Sequence, residues 1–409
     1  MRIGMFIWFY WPGPQGGAER FCRIWAHILK RQGHDCTVIT QWPGHGFKHR
    51  EMDEGTRIIR CGIAAPVHNA IASVNRFVKY KILRRPPPAP CKELPLWRPL
   101  LAAESLHRFF FMVEAACYAW RHRKEMDLIH AHESHWISGF SVWLAGKIKI
   151  PCVMSDHSSA PINPPLRASP LMRFWLKQRL AADCVAVLTA ARRQEFIDAG
   201  FPAGKIVIIP NAVEIPARTA SPASSRQVLY VGNFSQGPGY KGFDVLIAAW
   251  ADVHRQHPDW SLVMAGRGDA DPWKKMAASL DCGSSIVFNG WCADVARLYE
   301  TAAIHVLPSR SEGLSMALLE AQSWGLPSVV TDIPGSSAVV ASGRNGYVVP
   351  VADAPALADA IMNLIQQPAD RDRMGREARR LVAERYALPV IAQQWFRVYD
   401  QIRKDSKAV

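Results

Sequence analysis

The stretch SRSEGLSMALLEAQSWGLP, residues 309–327, sets two carboxylates, Glu312 and Glu320, into a segment otherwise made of small and apolar side chains. The residues just before it, IHVL at 304–307, are apolar and β-like, so 308–313 reads as the loop that follows a buried strand. A helix then begins near Leu314 and runs to about Trp324, where Gly325 and Pro327 stop it. A loop at the carboxyl end of a parallel strand, leading into a helix N-terminus, is where α/β proteins bind ligands. The unpaired first-turn amides suit phosphate, and Gly313 allows close backbone approach. Glu312 projects from the loop into the cleft on this reading. Glu320, about two helical turns further on, reaches polyol hydroxyls. Such an arrangement fits a sugar nucleotide, with hydroxyls at both ends and a diphosphate between them. The spacing by itself leaves a plainer alternative open, a capping acid and a surface acid.

Working outward, the segment belongs to a repeating rhythm. Residues 3–11 read as a buried strand, 18–31 as a helix ended by Gly33, and 36–40 as a second strand, which is the start of a parallel α/β sheet. Strands are expected again at 127–130, 151–155, 185–188 and 206–209. The rhythm restarts with a strand at 227–231, a helix at 243–254, and strands at 260–265, 286–288, 304–307 and 328–331. The Ser-, Ala- and Pro-rich 211–226 lacks periodicity and is the linker candidate. The expected division is an acceptor-side domain at 1–210, the linker, a donor-binding domain at 227–385, and a closing helix over 386–409. Residues 67–124 fit neither rhythm. They hold RRPPPAP and then the apolar LHRFFFMVEAACYAW with basic ends, an insertion that either packs on the sheet or lies on a membrane surface.

With 49% hydrophobic and 21% charged residues, the 409-residue chain is globular and long enough for two domains. The formal net charge of +14 is uneven: 29 Lys/Arg and 15 Asp/Glu lie up to Pro210, 20 and 20 beyond it. A basic half implies an anionic partner. Nucleic acid is disfavoured, because no recognised motif or base-stacking pattern accompanies the charge. The nine cysteines are scattered without a C-x-x-C pair, which reads as free thiols in a reducing compartment. The apolar N-terminus reads as a first strand and not as a signal peptide. No run of about 18 uncharged apolar residues marks a membrane span.

The stretch PSRSEGLSMALLEAQSWGLPSVV resembles the E-x7-E signature of family 4 retaining glycosyltransferases (glycosyltransferase group 1), which have the GT-B fold. The likeness extends over most of the chain. GGAER, RQGHDCTVIT, DLIHAHES, IPNAVE, YKGFDVLIAAW, MAGRGD, FNGWCADVARLYETAAIHVLPS, TDIPGSSAVV and GRNGYVVP follow one another in the family's order. The fold so implied is α/β, two Rossmann-like domains facing across a cleft, with a C-terminal helix crossing back to the N-terminal domain. The resemblance also implies roles. Glu320 binds the nucleotide ribose. Glu312 contacts the donor sugar and stabilises positive charge at its anomeric carbon. The amides of Gly313, Leu314, Ser315 and Met316 hold the sugar and distal phosphate. Lys241 neutralises the leaving diphosphate, and Gly16 and Gly17 close on it from the other domain. Asn289, Gly290 and Trp291 lie where the base is held, and His157, in SDHS, faces the donor sugar.

One departure stands out. The family pattern places a phosphate-clamping arginine before the lysine, and this chain has Asn233, followed by a long glycine-rich spacer to Lys241. Asn233 can hydrogen-bond a phosphate but brings no charge; Arg267 and Arg310 are candidates to compensate. The D-x-D of Asp269 and Asp271 marks metal-dependent enzymes of a different fold, and here it sits in a glycine-rich turn. No metal site is assigned to it, nor to the H-x-H pair of His130 and His132.

The expected activity is retaining transfer of a hexose from a nucleotide diphosphate sugar, a UDP-sugar by preference, with no metal and no further cofactor. The expected acceptor is a lipid-linked or lipopolysaccharide-like glycan of the cell envelope, met at an anionic membrane surface into which 109–111 could dip. The expected location is cytoplasmic, peripheral at the inner face of the cytoplasmic membrane. The competing readings are an inactive sugar-nucleotide-binding scaffold and a nucleotide-sugar epimerase on the same fold.

Overall fold

The structure is a computed structural model of the 409-residue chain. It describes every residue except 12–15, 45, 63–97, 134–135, 160–161, 163–169, 235–239, 293 and 409, and only the backbone of 98–106 and 407–408. The first part of the expected insertion therefore lies outside the described residues.

Among the described residues, eight strands form the first sheet: β1 (Arg2–Phe6), β2 (Asp35–Gln41), β3 (Arg50–Asp53), β4 (Thr56–Cys61), β5 (Leu128–His132), β6 (Cys152–Asp156), β7 (Cys184–Val187) and β8 (Ile206–Ile208). Their order is β3-β4-β2-β1-β5-β6-β7-β8, parallel throughout except for the β3/β4 hairpin. The middle strands β5, β6 and β7 are buried at every position, as strands covered on both faces must be. Helices α1 (Gly17–Arg31), α2 (Arg98–Arg121), α3 (Trp136–Ile148), α4 (Pro170–Gln178) and α5 (Ala190–Asp198) pack around this sheet. The second sheet, wholly parallel, has the order β11-β10-β9-β12-β13-β14. Its strands are β9 (Gln227–Val231), β10 (Ser261–Ala265), β11 (Ile286–Gly290), β12 (Ile304–Leu307), β13 (Ser328–Thr331) and β14 (Gly346–Val349). Helices α6 (Phe243–Gln256), α7 (Asp271–Ser279), α8 (Val295–Thr301), α9 (Met316–Ser323), α10 (Pro334–Ser337), α11 (Ala354–Gln366) and α12 (Pro368–Arg385) accompany it.

The last helix, α13 (Leu388–Ala408), returns to the first domain. Ile391, Trp395, Tyr399 and Ile402 share one buried cluster with Ile3, Met5, Phe21 and Trp25. The segment 211–226 is strapped down along its length. Val213 donates to the Tyr386 carbonyl at 2.9 Å, and Arg371 and Arg379 donate to the carbonyls of Pro222 and Pro216 at 2.9 and 2.6 Å.

Three expectations need correction. The first strand ends at Phe6 and does not reach Trp11, because Trp8 turns into an aromatic cluster, 5.2 Å from Phe111 and 4.8 Å from Trp136. The segment 109–111 does not present all its rings outward: Phe111 is fully buried in that cluster, whereas Phe109 is exposed. The third correction, to Arg310, belongs to the site.

Candidate active site

The carboxyl ends of both sheets face one cleft, and the second domain supplies its two carboxylates, Glu312 and Glu320, and Lys241. Ser315 caps α9, accepting the Leu318 N–H at 3.4 Å, so the remaining first-turn amides stay directed at the loop. On that loop Glu312 accepts from Lys241 Nζ at 2.6 Å and from Ser309 Oγ at 2.8 Å, and both members of the ion pair are largely shielded from solvent. Gly242, which follows Lys241, has φ +68 and lies against the Pro308 carbonyl where no side chain fits, which seats the lysine beside the loop.

Glu320 is buried, but not against hydrophobes alone. Its Oε2 accepts from Tyr299 OH at 3.0 Å, and its Oε1 pairs with Arg20 of α1 at 2.8 Å, across the cleft. Burial pushes its carboxyl upward, opposed by Arg20 and by the tyrosine hydroxyl.

The first domain contributes its glycine turn. Gly16 N–H donates to Glu19 Oε2 at 2.7 Å, which fixes the entry to α1. A methyl group built on Gly17 would stand 3.6 Å from Met316 Cγ, so the two helix N-termini meet. A methyl on Gly313 would stand 2.6 Å from the His157 carbonyl oxygen, inside contact distance, which is why the loop needs glycine there.

His157 is one link in a buried polar chain. Trp25 Nε1–H donates to Tyr399 OH at 2.8 Å, and Tyr399 OH lies 2.7 Å from His130 Nδ1. His130 Nε2 and His157 Nε2 each lie 3.1 Å from Ser155 Oγ. His157 Nδ1 lies 3.1 Å from Asn211 Oδ1, and Asn211 Nδ2 donates to the Leu314 carbonyl at 2.9 Å. One assignment satisfies every donor: Tyr399 donates to His130, His130 to Ser155, Ser155 to His157, and His157 to Asn211. His157 is then neutral with its proton on Nδ1. Its lowered basicity, caused first by burial, agrees. Both imidazole nitrogens are engaged, so the ring is a positioning group for the turn at Leu314. Burial likewise holds His130 and His132 well below the ordinary histidine range.

The other expected residues are placed as follows. Asn233 Oδ1 accepts the Arg267 N–H at 3.3 Å, and the Arg267 guanidinium lies over Trp291, 4.9 Å from the ring centroid. Trp291 is 61% exposed and Asn289 is exposed beside it, leaving the end of β11 open for a planar group. Gly290 has φ +64 and accepts from Gly266 N at 2.8 Å. Arg310, a candidate to replace the missing arginine, is instead bidentate to Asp244 at 2.8 and 2.7 Å, a pairing that holds its fork on α6. Asp269 caps the Asp271 N–H at 2.9 Å, and Asp271 pairs with Lys274 at 3.2 Å. Among the described residues, no group of three or more His, Cys, Asp or Glu is arranged to hold a metal ion, and no helix is long and apolar enough to cross a membrane. A pocket of about 130 Å³ between the domains is lined by Ser158, Thr189, Arg192, Glu312, Gly313 and Pro334, among others.

Sequence reasoning assigned no role to Arg20, Asn211, Tyr299 or Tyr399. The first three lie inside the quoted motifs and were open to notice; Tyr399 carries no signal outside the fold.

Known proteins share the fold and the family patterns of this chain. Residues 15–215 match the family model described as Glycosyltransferase Family 4, and residues 225–367 the one described as Glycosyl transferases group 1. The chain is 28% identical to the phosphatidyl-myo-inositol mannosyltransferase of Mycolicibacterium smegmatis, over 98% of this chain and 94% of that protein. It is 30% identical to an uncharacterized glycosyltransferase of Haemophilus influenzae, over 55% of this chain and 64% of that one. The crystal structure of Anabaena HepE in complex with UDP and glucose superposes with a TM-score of 0.69 at 18% identity, covering 98% of this chain and 99% of that one.

Proposed function

The chain belongs to the glycosyl transferases group 1, glycosyltransferase family 4, and from that premise we propose a specific reaction. A hexose moves, with retention of anomeric configuration, from a nucleoside diphosphate sugar, UDP-linked by preference, to a membrane-associated glycan of envelope polysaccharide, lipopolysaccharide or lipid-linked oligosaccharide synthesis. The observation that carries this reading is the meeting, in one cleft, of the Lys241–Glu312 pair, the N-terminus of α9 and the buried carboxylate Glu320.

The bond between the anomeric carbon and the diphosphate oxygen breaks while the acceptor oxygen bonds to the same face of that carbon. The acceptor proton passes to the departing phosphate oxygen. Lys241 and the α9 amides stabilise the growing charge on the diphosphate, and Glu312 faces the positive charge at the anomeric carbon. These groups take the part a divalent ion plays elsewhere, so no metal is required. The chain His157–Asn211–Leu314 holds the turn rigid beneath the sugar. HepE's complex with UDP supports the preference for uridine.

The acceptor side of the reading rests on the first domain's surface. Helix α2 exposes Phe109, Val113 and Trp120 beside Arg121, and α4 exposes Leu171 and Phe174 beside Arg173 and Lys177. Basic and aromatic side chains together suit an anionic bilayer surface. The mycobacterial relative is named for a lipid acceptor, phosphatidyl-myo-inositol.

Calorimetric titration with UDP, GDP, ADP and CMP, with and without EDTA, tests the donor half of the proposal. Tight binding of one diphosphate, indifferent to EDTA, is expected. Transfer from the matching sugar nucleotide to a lipid-linked glycan, with the product's anomeric coupling read by NMR, tests the rest. Donor binding without acceptor-dependent transfer would return the chain to a scaffold.

A further inference from the structure

The site lacks one cation. Asn233 stands where the family pattern has an arginine; its Oδ1 accepts the Arg267 N–H, and its amide brings no charge to a phosphate. The neighbouring cations are committed elsewhere. Arg310 is bidentate to Asp244, and Arg192 is bound to Asp156 and Glu195, whereas Lys241, paired with Glu312, is the one cation already assigned to the diphosphate. Arg267 packs on Trp291, at the base end of the cleft.

Arg20 differs. It lies one turn into α1, just after Gly16 and Gly17, and its side chain is 49% exposed although it ion-pairs with Glu320. Helices α1 and α9 meet end to end, Gly17 against Met316, and Arg20 faces Glu320 one turn behind that contact on each helix. One helical turn is about 5.4 Å, a span that an arginine side chain covers. Glu320 has a second partner in Tyr299 and so remains hydrogen-bonded when the guanidinium leaves.

We propose that Arg20 is the donor-site arginine of this chain: ribose hydroxyls take its place on Glu320, and the released guanidinium clamps the donor diphosphate in place of the arginine missing at 233. This rests on the nucleotide-sugar reading above. The exchange conserves hydrogen bonds, since the carboxylate trades N–H donors for O–H donors. A planar guanidinium offers two parallel N–H groups to phosphate oxygens, which Asn233 cannot. The apparent cross-cleft latch is then the resting position of a mobile phosphate ligand.

The test is calorimetry with UDP and GDP against uridine and guanosine, on the wild type, R20A, R20K, R267A and the double variant R20A/N233R. R20A is expected to weaken the preferred diphosphate about 10- to 100-fold while leaving the nucleoside within a few-fold. R20K, which keeps the charge but not the fork, falls between. R20A/N233R recovers most of the loss, because it restores an arginine where the family has one. A simple latch predicts otherwise: R20A frees Glu320, so diphosphate affinity holds or rises, and N233R rescues nothing. That result overturns the inference, as does a loss confined to R267A. A wild type that binds no nucleoside diphosphate overturns the donor reading itself, a distinct outcome. Should R20A fail to fold, R20K decides, read at unchanged melting temperature.

Discussion

Glu320 is a carboxylate that costs stability where it sits and repays it in recognition. Burial raises its pKa, and its two partners lie on different domains. Glu320→Ala leaves the buried Tyr299 hydroxyl only its longer contact with the Ala317 carbonyl at 3.5 Å, a loss of about 1 kcal/mol, and removes the proposed ribose contact. Nucleoside diphosphate affinity should fall at least about 30-fold, equivalent to about 2 kcal/mol, and calorimetry on a variant that still melts cooperatively reads it. Unaltered affinity would make the glutamate structural. Glu133 makes a different prediction. It follows β5 with φ +83, and burial beside Glu19 and Asp156 pushes its carboxyl up to about 8. The folded chain therefore holds a proton that the unfolded chain has released. That stabilisation is present below the unfolded value near 4.5 and is lost as pH rises through about 8. Glu133→Gln should change stability by less than about 1 kcal/mol at pH 5 and stabilise by about 4–5 kcal/mol at pH 9. Parallel melting curves at both pH values check it, and an unchanging difference refutes it. At this scale the sequence was partly legible. Glu312, Lys241 and Glu320 lie in short motifs whose spacing carries their chemistry. Arg20 could be read only as a member of GGAER, because its partner lies three hundred positions away.

Among the elements, α9 and its loop carry the proposed chemistry, and Gly313 sets their distance from the other domain. Gly313→Ala places a methyl 2.6 Å from the His157 carbonyl, so the loop or the domain must move. A displacement near 1 Å at a reacting site costs about 100-fold in rate. We expect a kcat loss of about that size, with a nearly unchanged melting temperature, because each domain keeps its own core. Steady-state kinetics beside thermal melts decide this; a variant with full kcat would show that the approach of the two loops is not used in catalysis. The legibility of elements followed burial. Strands β9, β12 and β13 match the expected 227–231, 304–307 and 328–331, because strands of a parallel sheet read as apolar runs. The β3/β4 hairpin went unread, since REMD carries the charges that an edge strand tolerates and Arg57 and Arg60 break up the apolar run of the inner strand TRIIRC. The strand β14, GYVV, was noticed only as part of a motif, its four residues being too short for periodicity to act on.

For the molecule as a whole, the organising feature is the polar chain that begins on its last helix and ends at the donor turn. Nothing in 388–408 announces it; the closing helix was legible in the sequence and its return was implied by the family resemblance, but the hydroxyl of Tyr399 acquires its role only when α13 lies beside Trp25 and His130. The basic excess of the first half likewise acquires a surface only once α2 and α4 are folded, with α4 unforeseen because its nine residues are too short a run for a helical period to declare itself. Tyr399→Phe tests the chain at its far end. The change leaves the Trp25 N–H without an acceptor, at a cost of about 1–3 kcal/mol. It also frees His130 Nδ1 to take the proton, and Ser155 loses the donor that fixes its own direction. His157 is then no longer held to one tautomer, and Asn211 and the Leu314 carbonyl lose their fixed register. A purely structural tyrosine would lower activity only through the folded fraction. A tyrosine that sets the tautomer of His157 lowers kcat about tenfold in protein that is fully folded, about 1.4 kcal/mol of barrier, and leaves UDP affinity unaltered, since the phosphate ligands are untouched. Kinetics well below the melting transition, with the His157 nitrogen shifts read by NMR, separate the two: a kcat equal to the wild type's with an unshifted imidazole confines Tyr399 to packing, and a shifted one ties the end of the chain to its active site.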